Sequence, residues 1–131
     1  MISQDNILQK METEDGFFNH NNYHFVEYSK DSVIIEAVLT EESMNPYGMA
    51  HGGFIFGLGD VAMGVLALSS GKEAVTLDSN ITYVTPGKGK KLIAKSSLVK
   101  EGNRTIFLKA DIYNDEETLI ATMTGTYYYI K

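Results

Sequence analysis

The sequence predicts an α+β fold in which an antiparallel sheet of about six strands wraps around one long central helix, all within a single domain spanning residues 1–131. Three observations carry this. Gly52 to Ser70 is mostly apolar, holds no proline and is followed by Gly71, the composition of a helix that must be buried. From Glu73 onward the apolar residues recur at alternate positions, the period of strands. Those strands are separated mostly by short turns, which join antiparallel neighbours.

Taken in order, Ile2, Leu8 and Met11, with Ser3 or Asp5 as cap, predict a short amphipathic helix reaching about Glu14. Gly16 to Tyr23 is rich in Asn and reads as a loop. Tyr23 to Tyr28 and Ser32 to Leu39 read as a hairpin turning at Ser29-Lys30-Asp31. Asn45-Pro46-Tyr47-Gly48 is a turn composition that separates this hairpin from the long helix. In the second half Val75, Leu77, Ser79 and Ile81 share one side of a strand, and Ile106, Leu108, Ala110 and Ile112 share one side of another. Strands are placed at about 74 to 85, 90 to 101, 103 to 113 and 117 to 130, with turns at Pro86-Gly87-Lys88-Gly89, Gly102-Asn103 and Asn114-Asp115-Glu116. There is no internal repeat, and Gly87-Lys88-Gly89 lacks the downstream spacing of a nucleotide-binding glycine loop.

Composition narrows the function. The 131 residues are 44% hydrophobic and 21% charged, enough for one continuous core. A net charge of −6 with no basic stretch argues against a nucleic-acid surface. The absence of cysteine removes disulfides, thiolate metal sites and cysteine nucleophiles together. No apolar run reaches the roughly 18 residues of a membrane span, and the N-terminus lacks an export signal, so a cytoplasmic setting away from membranes is expected. The triplets Asn80-Ile81-Thr82 and Asn103-Arg104-Thr105 are read as chance matches to a glycosylation site for the same reason.

Asp60 is the only ionisable residue between Gly52 and Gly71. A carboxylate in apolar surroundings is costly without a partner, so it is either a hydrogen-bonded structural acid or a functional one. Gly53, Gly57, Asp60 and Gly64 fall at i, i+4, i+7 and i+11, on one helical face. Each interior glycine costs about 1 kcal/mol against alanine, which points to close approach by another backbone or a ligand along that face. At the helix start, His51-Gly52-Gly53 offers unpaired N–H groups and the positive dipole end, where an oxyanion can be held. A carboxylate and an oxyanion-binding helix terminus are minimal equipment for acyl transfer. Within one chain, though, Gly53 and Asp60 are about 10 Å apart at roughly 1.5 Å per residue. Two helices antiparallel about a two-fold axis would bring one chain's glycine end to the other's acid, which predicts a site shared within a homodimer.

Asn45, Pro46, Tyr47, Gly48, His51, Gly52, Gly53, Phe54, Ile55, Phe56, Leu58 and Asp60 together resemble the signature of hotdog-fold thioesterases of the phenylacetic-acid-degradation (PaaI-like) type. That signature is an Asn-rich turn, then His-Gly-Gly, then an acid seven residues past the second glycine. Ile81 to Gly87 and Thr122 to Thr126 also resemble the family's strands, so the likeness covers about residues 20 to 130. It implies a hotdog fold and hydrolysis of an acyl-coenzyme A to the free acid and coenzyme A. It further implies Asp60 as nucleophile or general base, the Gly52 N–H as oxyanion donor, Asn45 and His51 as polar groups ordering the site, and dimers pairing into tetramers. Gly59 departs from the pattern, standing where family members often carry alanine.

Other residues carry two readings. Asn45 and His51 could merely cap their loop and helix. Lys88, Lys90 and Lys91, with Arg104, could hold the phosphates of coenzyme A or simply decorate solvated turns. Gly53 would let a substrate carbonyl approach the helix end. His20 and His24 lie outside any metal-ligand spacing, and neither a metal nor a cofactor is expected beyond the coenzyme A of the substrate. Tyr127 to Tyr129 read as a terminal strand. A non-catalytic acyl-coenzyme A binding module is the alternative function, and a dehydratase or isomerase pairing His51 with Asp60 ranks third.

Overall fold

The computed structural model describes residues 3–29 and 31–130. Helix α1 (Gln4–Glu14) is followed by a short α2 (Gly16–His20), then β1 (Tyr23–Ser29), β2 (Ser32–Val38), the long helix α3 (Gly52–Leu68), and β3 (Ala74–Tyr83), β4 (Lys91–Glu101), β5 (Thr105–Asn114) and β6 (Leu119–Tyr129). The six strands form one sheet in the order β1-β2-β4-β5-β6-β3, every pair antiparallel. Helix α3 lies in the concave side of that sheet and packs on β2, β3, β4, β5 and β6. This is the predicted α+β hotdog architecture, with strand boundaries within a few residues of those expected.

Ser3 caps α1 by accepting the Asn6 N–H, as expected of a serine at that position. Ile7 and Met11 anchor this helix in the core, whereas Ile2 lies outside the described residues, as does Lys30 of the predicted hairpin turn. The expected loop from Gly16 to Tyr23 is in part helical. The Asp15 carboxylate caps it by accepting the Phe18 N–H at 2.9 Å, and Phe18 is buried beneath it. One cap and one apolar anchor suffice where the Asn-rich composition alone favours a loop.

The expected face of β5, Ile106, Leu108, Ala110 and Ile112, is buried in the core, together with Leu92 and Ala94 of β4 and Ile120, Ala121 and Met123 of β6. Strand β3 differs. Val75 and Leu77 are 48% and 63% exposed, because β3 is the last strand of the sheet and a bulge between Thr76 and Asp78 interrupts its register with β6.

Hydroxyls from several strands bolt α3 to the sheet. Ser96 in β4 donates to the Ala62 carbonyl at 2.8 Å, Tyr127 in β6 reaches Asp60, and Tyr23 in β1 donates to the Phe54 carbonyl at 2.8 Å. Burial, with a smaller effect from the charge of Asp60, pushes the Tyr23 phenol well above its usual range, so it remains a neutral donor. Tyr23→Phe is expected to cost about 1 kcal/mol of stability, the usual net worth of one such bond. Urea titration of the two proteins checks this, and an unchanged midpoint would mean the bond contributes nothing net.

Candidate active site

Asp60 sits mid-helix, partly buried, and lines a cleft of about 540 Å3 between α1, α3, β3 and β6. Its Oδ1 accepts two hydroxyl protons, from Thr76 in β3 at 2.8 Å and from Tyr127 in β6 at 2.6 Å. The Tyr127 proton is shared with the Asp60 backbone carbonyl at 2.8 Å. Burial first, and then the negative charge of Asp60, push the Tyr127 phenol far above its ordinary value, which keeps it a donor. Two donors on one oxygen fix the carboxylate rotamer. Oδ2 has no partner among the described residues and is left for a ligand or a water.

Neither Thr76 nor Tyr127 was singled out as functional by the sequence. Their role depends on β3 and β6 being neighbours, a non-local pairing that places Thr76 opposite Tyr127. The one available signal was the buried acid itself, which required hydroxyl or N–H partners from somewhere.

The helix start forms the second half of the equipment. His51 is the N-cap of α3, and its Nδ1 accepts the Gly53 N–H at 2.9 Å. That bond leaves Nδ1 without a proton and keeps one on Nε2. It also engages the Gly53 N–H, so Gly53 contributes only its missing side chain to an approaching ligand. The Gly52 N–H, first of the helix, has no partner among the described residues. Asn45 Oδ1 accepts the Tyr47 and Met49 N–H groups at 2.9 and 3.1 Å, closing the turn before the helix. Both Asn45 and His51 therefore do act as caps, with Asn45 Nδ2 and His51 Nε2 unengaged among the described residues.

Asn45 and Gly52 line a second cleft, of about 340 Å3, with Tyr83, Pro86 and Gly87. Tyr83 donates to the Gly52 carbonyl at 2.6 Å and so holds the helix end from the edge strand. The two clefts share no lining residue. Gly52 and Asp60 are eight residues apart on α3, about 12 Å along its axis. One chain brings Asp60, Thr76 and Tyr127 together, and Asn45, His51 and Gly52 together, and keeps the two groups apart.

The glycine face is more varied than a helix-packing seam. A Cβ on Gly57 would come within 2.8 Å of the Tyr23 hydroxyl and 2.9 Å of the Phe17 ring, so this glycine accommodates aromatic side chains of its own chain rather than another backbone. On Gly59 a Cβ would meet the Met123 thioether and, at 3.2 Å, the Ile112 Cδ1, so alanine there requires these side chains to shift.

Lys88 and Lys90 are exposed on the turn before β4, where the Gly87 carbonyl accepts the Ala50 N–H at 2.9 Å and ties that turn to the helix start. Arg104 is exposed at the other end of β4, roughly 30 Å away at about 3.3 Å per strand residue. The lysines and Arg104 do not form one basic cluster in a single chain. Lys91 is engaged by Glu36 at 3.2 Å.

A family model described as thioesterase superfamily matches residues 47–121. The chain is 30% identical over 128 residues to a protein of Archaeoglobus fulgidus named as an esterase, covering 97% of this chain and 83% of that one. It is 31% identical over 93 residues to the medium/long-chain acyl-CoA thioesterase YigI of Escherichia coli, spanning 59% of this chain and 60% of YigI. Among solved structures, smu.793 from Streptococcus mutans bound to acetyl CoA superposes with a TM-score of 0.78 at 34% identity, covering 82% and 88% of the two chains. The E. coli PaaI protein of the phenylacetic acid degradation operon superposes at 0.89 over 94% and 90%, and at 22% identity that likeness is one of fold.

Proposed function

The chain belongs to the thioesterase superfamily, and from that premise we propose that it hydrolyses an acyl-coenzyme A to the free acid and coenzyme A at a site shared by two copies. The observation that carries the reading is Asp60: a carboxylate fixed by Thr76 and Tyr127 through one oxygen, with the other open to a cleft. The Gly52 N–H of the partner helix polarises the thioester carbonyl and holds the oxyanion that forms. Asp60 Oδ2 either takes a proton from a water that attacks the carbonyl, or attacks the carbonyl itself to form a mixed anhydride that water then hydrolyses; in both routes the C–S bond breaks and coenzyme A leaves, its sulfur taking up the proton that the water gives up. Asn45 and His51 order the oxyanion end, and Lys88 and Lys90, on the turn tied to the helix start, would meet coenzyme A phosphates. Arg104 can reach the same nucleotide only from another chain.

The dimer is supported by the separation of the two clefts and by β3, which pairs only with β6 among the described residues and exposes Val75, Leu77 and Tyr83 along its free side. Val99 and Phe107, exposed elsewhere on the sheet, support a further pairing of dimers into tetramers. Among the described residues no helix is long and apolar enough to cross a membrane.

The reading is tested by thiol release over aryl, short-chain and medium-chain acyl-coenzyme A compounds. Hydrolysis of at least one, lost in Asp60→Asn, is expected. Tight binding without release of thiol would shift the assignment to the non-catalytic binding module.

A further inference from the structure

The three interior glycines of α3 are not equivalent. At Gly57 and Gly59 a side chain of the same chain lies where their Cβ would be, so each glycine has a partner within the chain. Gly64 differs. A Cβ there would meet only the Tyr127 ring edge at 3.6 Å, an ordinary contact, so packing within the chain does not explain the helix stability that this glycine gives up. It stands one turn beyond Asp60 and lines the same cleft, so a side chain at this position would project into it.

Beyond Asp60 the cleft continues between Met11 on one side and Val61, Val65, Leu68 and Ile130 on the others, aliphatic walls with charged residues at the rim, Lys10 and Glu14 on α1, Asp15 just after it, and Glu73. From Asp60 to Leu68 it follows eight residues of helix, about 12 Å. A staggered carbon chain with bonds of about 1.5 Å advances roughly 1.25 Å per carbon, so this length houses about eight to ten carbons. Its volume of about 540 Å3 lies in the range of small-molecule sites. We infer that this groove takes an unbranched acyl chain of about eight to ten carbons, and that Gly64 is the residue whose missing side chain keeps the groove open next to the reacting carboxylate. The inference rests on the hydrolase reading for its orientation, because the carbonyl must lie at Asp60 for the chain to run toward Leu68.

Each methylene buried in such a groove is worth about fourfold in affinity. The test compares wild type, Gly64→Ala, Gly64→Leu and Leu68→Trp on acetyl-, hexanoyl-, decanoyl- and phenylacetyl-coenzyme A, with melting and size-exclusion profiles confirming fold and assembly. Wild type is expected to prefer decanoyl over acetyl. Gly64→Leu is expected to lower the decanoyl-to-acetyl ratio of kcat/KM at least tenfold. Leu68→Trp, at the far end of the groove, is expected to move the optimum toward hexanoyl and serves as the reporter if Gly64→Leu does not fold. Binding of the non-hydrolysable thioether S-decyl-coenzyme A is measured in parallel, so that the groove is judged even if no thioester is cleaved. Weakened binding in the folded variants would then support the groove while the hydrolase reading failed. An unchanged chain-length profile and unchanged thioether binding in both variants would overturn the inference, as would a wild-type preference for phenylacetyl that neither variant alters.

Discussion

Asp60→Asn is expected to lower turnover by a hundredfold or more, about 2.7 kcal/mol in the activation barrier, while leaving the fold intact. The substitution keeps the shape of the side chain. An amide oxygen can still accept from Thr76 and Tyr127, so the contacts that hold the position in place are preserved. What is lost is the ability of the second atom to attack a carbonyl or to take a proton from water, since an amide nitrogen does neither. Steady-state kinetics and circular dichroism on the same preparation decide the matter. A folded Asn variant with turnover near wild type would remove Asp60 from the reaction.

The second expected result is recovery of activity on mixing two inactive proteins. In Gly52→Val the Cβ alone would lie 3.1 Å from the Tyr83 hydroxyl that holds the helix end, so the branched side chain is expected to break that hydrogen bond and to crowd the Gly52 N–H. In Asp60→Ala the carboxylate is gone. If each site combines the helix end of one chain with the acid of the other, each homodimer carries two defective sites. In a mixed dimer one site holds both defects and the other holds neither. With random pairing about half of the dimers are mixed and half of their sites are intact, so about a quarter of wild-type activity should return on co-refolding. Verified mixed dimers that remain inactive would mean that each chain builds its own site.

The architecture was legible because local signals agreed with it: an apolar helix stopped by Gly71, alternation in β4 to β6, and turn residues where turns occur. Asp60 and the helix start were legible for a related reason, since a lone acid in an apolar helix and a His-Gly-Gly start are both visible in sequence. Thr76, Tyr127 and Tyr83 were not, because each acts through a neighbour far away along the chain, and nothing local distinguishes a strand tyrosine that packs from one that donates to an acid. In sequence the glycine face is uniform, whereas in the fold Gly57 faces aromatic side chains of α2 and β1 that no helical period reveals. The lysines and Arg104 looked like one group until the length of β4 separated them.

Strand β3 touches both halves of the candidate site, Thr76 at the acid and Tyr83 at the carbonyl of Gly52. These two hydroxyls pin the helix against sliding along its axis, so in each chain the helix keeps a fixed station relative to the edge of the sheet. In the proposed dimer, with two chains aligned along that edge, the gap between one chain's acid and the other's helix end would be measured out by the strand, much as a ruled scale sets a spacing. A slip of one residue in that alignment would shift the parts by roughly 3.3 Å, far more than a reacting pair of atoms tolerates. Changes at Val75 or Leu77 that leave a dimer intact but misaligned should thus silence it without touching a single reactive group.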